Sequence, residues 1–191
     1  MYIRKKIIFA VLVILILIGI FIKVHAKTDE ELPAANFKYD ASTLVKESAI
    51  ALNSAIKEYY NSDEYKMYKL KANIENETGI KIKELQAITC NITYYSSLAC
   101  ENGKYGFKTA SGTMMNDKTV ANNFLSFGTD LYIDGYGHKI VHDRGSSRHF
   151  NTVNRFDVYV PRNNGEGDSV YYKRVNNMGR KTVTGYILVE E

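Results

Sequence analysis

From about Lys81 to its end, the chain is a run of short β-prone segments cut by glycines, and this pattern limits the fold more than any other feature. Leu85 to Tyr95, Asp130 to Ile133, Lys139 to His142, Phe156 to Val160 and Thr182 to Val189 are rich in β-branched, aromatic and leucine side chains. Gly103, Gly106, Gly112, Gly128, Gly135 and Gly137 fall between them, where turns need backbone freedom. Strands this short bury their apolar faces and pair their edges best by closing on one another. The expectation is a mainly β domain over residues 81–191, a small closed barrel, with Thr119 to Leu125 as a helical insert. The 15 tyrosines and the absence of tryptophan fit the same picture. Tyr fills strands well, and a Tyr-rich surface also suits stacking on sugars.

The first 26 residues follow a different rule. A basic head, Tyr2-Ile3-Arg4-Lys5-Lys6, precedes an uncharged apolar run from Ile7 to Ile22, and Lys23 ends it. Sixteen such residues make about 24 Å of helix, slightly short of a ~30 Å hydrocarbon core, a gap that snorkelling of Lys6 and Lys23 closes. Val24-His25-Ala26 also offers a signal-peptidase site. An uncleaved membrane anchor and a cleaved signal peptide both remain open. Either way the basic head stays inside, so the rest of the chain is expected outside the cytoplasm, tethered to the membrane or secreted.

That segment also explains the net charge. The four basic residues Arg4, Lys5, Lys6 and Lys23 account for all of the +4, and the remainder balances 21 basic against 21 acidic residues. No excess of cations is left to neutralise phosphates, which removes nucleic-acid binding from consideration.

Residues 27–80 read as a spacer. Lys27 to Tyr39 is polar, and Ser42 or Thr43 is placed to cap a helix running to about Tyr60. Val45, Ala49, Leu52, Ile56 and Tyr59 form one apolar stripe along it. Asn61-Ser62-Asp63 interrupts, a second helical stretch carries Tyr65, Met67, Tyr68, Leu70 and Ile74, and Gly79 stops it. The stripe is too short for a stable coiled coil, which leaves packing on itself or on the barrel and self-association through these helices as open readings. Cys90 and Cys100 are spaced to close a small loop, and an exported setting permits that disulfide; two free thiols is the alternative.

Within the β-rich part, several short motifs occur in order. They are Lys108-Thr109-Ala110-Ser111-Gly112-Thr113, Val120-Ala121, Phe127-Gly128-Thr129, Val141-His142-Asp143-Arg144-Gly145 and Asn154-Arg155-Phe156-Asp157-Val158-Tyr159, with a closing Gly179 to Leu188. The series, over roughly residues 86–191, resembles the double-psi β-barrels of the three-aspartate (3D) domain family. It is similar also to rare lipoprotein A and to the catalytic barrel of membrane-bound lytic transglycosylase A. The resemblance implies a six-stranded double-psi β-barrel and a peptidoglycan-cleaving activity that needs no metal or other cofactor. It implies catalytic roles for Asp157, in the Arg155-Phe156-Asp157-Val158 strand, and for Asp143, in the Asp143-Arg144-Gly145 turn. Asn122, Asn123, Tyr94 (or Tyr95), Thr109, Ser111, Arg144 and Arg155 become the expected sugar contacts. The chain departs from the pattern where the first family aspartate is replaced by Asn122 and Asn123, and where Ser146-Ser147-Arg148-His149-Phe150 lengthens the segment between the two aspartates.

The implied reaction has one carboxyl group serve as acid and then base, cutting the bond between N-acetylmuramic acid and N-acetylglucosamine and closing a 1,6-anhydro ring. Asp157 must then hold a proton at rest, against the ordinary tendency of an Asp to ionise. An Asp inside a strand is informative in itself, because it needs solvent or a partner there; an ion pair with Arg155 or Arg144 is its bland reading. An Asp before Arg-Gly is by itself a turn former. Three rivals stand beside the transglycosylase: a non-catalytic glycan-binding barrel, a hydrolase using Asp143 as base, and a structural partner in a wall-spanning assembly. His138, His142 and His149 match no metal or triad spacing and are expected on the solvated surface.

Overall fold

The computed structural model describes residues 41–191. The basic head, the apolar run, the cleavage site and the start of the spacer lie outside the described residues. Among those described, no helix is long and apolar enough to cross a membrane.

Two helices precede the barrel, α1 (Ala41–Asn61) and α2 (Asp63–Thr78). On α1, Leu52, Ile56 and Tyr59 of the expected stripe are half-buried, whereas Val45 is exposed. The Ser62 hydroxyl accepts the Tyr65 N–H at 3.2 Å, and Asp63 and Glu64 place negative charge in the first turn of α2, where the helix dipole favours it. The described residues divide into two compact units that part between Tyr68 and Lys69. The second begins before Lys81, because Ile74 is fully buried with Ile82 and Leu188.

That second unit is a closed six-stranded barrel, compatible with a double-psi arrangement. Its strands are β1 (Ile82–Tyr95), β2 (Thr119–Ala121), β3 (Asp130–Ile133), β4 (Gly137–Asp143), β5 (Arg155–Tyr159) and β6 (Lys181–Glu190). Around the barrel the order is β1-β5-β2-β4-β3-β6, with β1/β5 and β2/β4 parallel and the other pairs antiparallel. The expected strands are present. The expected helical insert is not: Thr119–Ala121 is β2, whose β-branched Thr119 and Val120 are wholly buried, and the chain bends immediately after it.

Cys90, Ile92, Val120, Leu131, Ile133, Val141, Phe156 and Val158 fill the interior. Gly185 of β6 lies so close to Cys90 that an added Cβ would sit 2.6 Å from its Sγ. The two cysteines are free: Cys90 is buried in the core, and Cys100 is exposed on the short helix α3 (Ala99–Asn102). Helix α4 (Asp168–Asn176), which the sequence reading did not anticipate, buries Tyr171 and Val175 on the barrel. The Tyr171 hydroxyl donates to the Val160 carbonyl at 2.5 Å and accepts the Ser97 N–H at 3.1 Å, tying together the chain just past β5 and just past β1.

Candidate functional site

Strand alternation sends Phe156 and Val158 inward and Asp157 to the opposite face of the sheet. Register then sets its neighbours. Asp157 lies opposite Thr93 of β1 on one side and opposite Ala121 of β2 on the other. On β4, Val141 pairs with Val120, but Ala121 pairs with Asp143 and not His142, because the register shifts by one residue there. Such a bulge re-aims a side chain. Val141 stays in the core while Asp143 joins the row Thr93, Asp157, Ala121, Asp143 outside it. Ala121, 3% exposed, has the smallest side chain of the four and leaves space between the two carboxylates.

A pocket of about 300 Å³ opens over this row. Tyr94, Tyr95, Ala121, Asp143 and Asp157 line its barrel side, and Glu101 and Asn102 approach from α3. The lengthened segment after Asp143 contributes Ser146, His149 and Phe150. That segment is a tight turn in which the Ser146 carbonyl accepts the N–H groups of His149 and Phe150, both at 2.9 Å. Gly145 is required beneath it, since a Cβ there would lie 2.2 Å from the Phe150 ring. A second pocket of about 610 Å³ is lined by Glu101, Asn102, Asp143 and Arg144 as well, and adds Tyr105, Lys108 and Thr109.

The two aspartates occupy opposite chemical environments. Asp143 is held by protein donors: Oδ1 accepts the backbone N–H groups of Ala110 (2.9 Å) and Arg144 (2.8 Å), and Oδ2 accepts the Tyr95 hydroxyl (2.9 Å). Asp157 Oδ1 is buried without a partner. Burial pushes the Asp157 carboxyl up to about 6. A hydrogen bond from Thr93 and the charge of Arg155 oppose the rise, and the charges of Glu101 and Asp143 add to it. A group near this value carries a proton below neutrality and still releases one readily.

The other anticipated residues divide. Tyr94 lines the pocket, its hydroxyl hydrogen-bonded to that of Tyr136, and burial raises its pKa. Arg144 stacks over Phe127 at 3.7 Å and donates to the Asn122 carbonyl at 2.5 Å; desolvation lowers its pKa. Thr109 borders the larger pocket but shares its hydroxyl with Ser111 and Thr113. Ser111 and Arg155 line neither pocket, and Arg155 keeps a buried Nε without a partner.

Asn122 is completely buried, and its amide is saturated. Nδ2 donates to the carbonyls of Val153 (2.7 Å) and Arg155 (2.9 Å), and Oδ1 accepts the N–H groups of Phe124 and Leu125, both at 2.9 Å. It closes a turn and borders neither pocket. Asn123 clamps the pocket wall, accepting the Gly145 N–H at 2.9 Å and donating to the Gly145 carbonyl at 3.1 Å. Among the histidines, His138 is not solvated but bonded to Asp130 at 2.5 Å, with about 10% of its side chain exposed. His149 reaches the pocket.

Neither a protein-family model nor a curated protein matches this chain. Its site must be read from its own geometry. No group of three or more His, Cys, Asp or Glu among the described residues is arranged to hold a metal. Glu101 is the residue that sequence reasoning missed. Only the fold brings its four-residue helix to the pocket, and no motif marks it.

Proposed function

We propose that this chain is a peptidoglycan lytic transglycosylase, a lyase acting on glycosyl bonds, in which Asp157 is the general acid and then the base. The observation that carries the reading is the Asp157 carboxyl: raised to about 6, with one buried oxygen unpartnered, at the edge of an open pocket. Protonated Asp157 gives its proton to the glycosidic oxygen between N-acetylmuramic acid and N-acetylglucosamine, and the bond from that oxygen to C1 breaks. The C6 hydroxyl of the same muramic acid attacks C1 while the Asp157 carboxylate takes the hydroxyl proton. A 1,6-anhydro ring forms, no water is consumed, and Asp157 returns to its starting state.

Asp143 assists in this reading without moving a proton. Its three protein donors fix its position, and it pins Ala110 and Arg144 along the groove. The reading takes the barrel as a double-psi barrel of the three-aspartate type. It takes the chain as acting outside the cytoplasm on glycan strands, held at the membrane by its first residues or secreted. The saturated amide of Asn122, at the position where the resemblance expects a carboxylate, favours a second reading: a non-catalytic glycan-binding barrel.

Mass spectrometry of purified peptidoglycan incubated with the full chain separates these. Muropeptides ending in 1,6-anhydro-N-acetylmuramic acid, absent with Asp157→Asn, are the expected result. Reducing ends would make the protein a hydrolase. Retained polymer binding without any product would leave the binding barrel.

A further inference from the structure

Glu101 sits in α3, just past the end of β1, and its carboxylate is anchored although the residue is exposed. Oε2 accepts the Ser96 backbone N–H at 2.7 Å and also the Ser96 hydroxyl. Asn102 donates to the Ser96 carbonyl at 2.6 Å, so the short helix is stitched to a residue that is itself 0% exposed. Gly103 then turns the chain away at φ 55 and ψ −137, a conformation essentially reserved for glycine. The result is a carboxylate with one oxygen fixed to the rigid end of a barrel strand. The other, Oε1, receives no hydrogen bond from the described residues.

Glu101 also lines both pockets. A glycan laid across the two would pass it at their junction, where the bond to be cut has a sugar on either side. Cleavage by the proposed route builds positive charge at C1 and the ring oxygen, and an anion already in place lowers the cost of that charge. Asp143 has three of roughly four lone-pair sites occupied by protein donors. Asp157 is neutral when the reaction begins. Asp157, whose Oδ1 is also bare, is the proton donor of the proposed route; of the two other carboxyl groups lining the first pocket, Glu101 keeps a whole oxygen uncommitted and Asp143 does not.

Resting on the transglycosylase reading, we propose that Glu101 is a second catalytic carboxylate of the groove, whose Oε1 faces the cationic centre of the sugar being cleaved. It moves no proton. Gln at this position retains an oxygen for Ser96 and loses only the charge, so a purely structural role survives Glu101→Gln and the proposed role does not.

Two measurements on the full chain test this. In turnover of peptidoglycan, Glu101→Gln should lower kcat on the order of 10²-fold with KM little changed. In calorimetry at pH 5, where Asp157 keeps its proton, a protonated piperidine analogue of N-acetylglucosamine is compared with N-acetylglucosamine itself. The wild type should prefer the cation at least ~10-fold, the discrimination expected of one close opposite charge, and Glu101→Gln should lose most of that preference, keeping only what Asp143 of the same pockets supplies. Absence of the preference in the wild type, or its survival undiminished in Glu101→Gln, would overturn the proposal. Loss of the preference in the variant, with no 1,6-anhydro ends from the wild type, would overturn the transglycosylase reading and leave cation recognition by Glu101 standing. Anhydro ends made at the wild-type rate by Glu101→Gln would sink the role of Glu101 alone.

Discussion

Asp143 and Asp157 lie in one row, each paired with Ala121, and the barrel treats them in opposite ways. The β4 end surrounds its carboxylate with an N–H from its own turn, an N–H from the Ala110 loop and a tyrosine hydroxyl. The β5 strand presents its carboxylate with a buried oxygen bare. Burial favours the protonated form of a carboxyl group, and at Asp157 it outweighs the opposing hydrogen bond from Thr93. One small barrel thus places two identical groups in different surroundings: Asp143 ties loops together, and Asp157 is left with a raised pKa that suits the proton carrier of the proposed reaction. The difference comes from what surrounds each group, at Asp143 the next residue, the Ala110 loop and Tyr95 of β1, and not from the residues themselves.

Breaking the proton-carrying side should have the largest effect. If the chain cuts glycan as proposed, Asp157→Asn removes the acid while keeping its shape, and cleavage should fall about 10²–10⁴-fold with circular dichroism unchanged. A pH effect on stability follows. Because Asp157 titrates at about 6 in the folded chain against 3.8 ordinarily, the native state holds this proton more tightly than the unfolded state does. Its contribution favours folding below about pH 4 and is lost as pH rises through 6, amounting to about 3 kcal/mol. Denaturant midpoints at pH 4 and 7.5 should show the wild type losing stability relative to Asp157→Asn by an amount of that order.

The scaffolding side should respond differently. Asp143→Asn presents an N–H₂ to donors that need acceptors, and should cost about 1–3 kcal/mol in urea unfolding, with a smaller loss of activity than Asp157→Asn. In the core, Gly185→Ala forces a Cβ against Cys90 Sγ and should cost about 1–3 kcal/mol by overpacking. The smallest effect concerns the thiols. Burial pushes the Cys90 thiol up to about 12, so a thiol reagent should modify Cys100 at once and Cys90 only on unfolding.

Much of the barrel was legible because β-branched runs and glycine turns report directly on pairing. Asp157 was legible for a related reason: an acid between Phe156 and Val158 must face away from the core they fill. What stayed hidden depended on tertiary register. Nothing local marks the shift that brings Asp143, and not His142, beside Ala121. Asn122 looks like a sugar contact in a list of polar residues, yet it closes a buried turn with all of its amide. Tyr171 and Val175 carry the one-turn spacing of a helix, but paired tyrosines in that segment have strand propensity and hide it. Glu101 belongs to a helix too short to leave a pattern, and its position depends on Ser96.

The most direct test of the central contrast is the ¹³C resonance of the Asp157 side-chain carboxyl followed by NMR against pH, assigned by its loss in Asp157→Asn. A midpoint near 6 that stands well above an ordinary aspartate is the predicted result. A midpoint at or below the ordinary 3.8 would contradict it and remove the proton carrier from the groove.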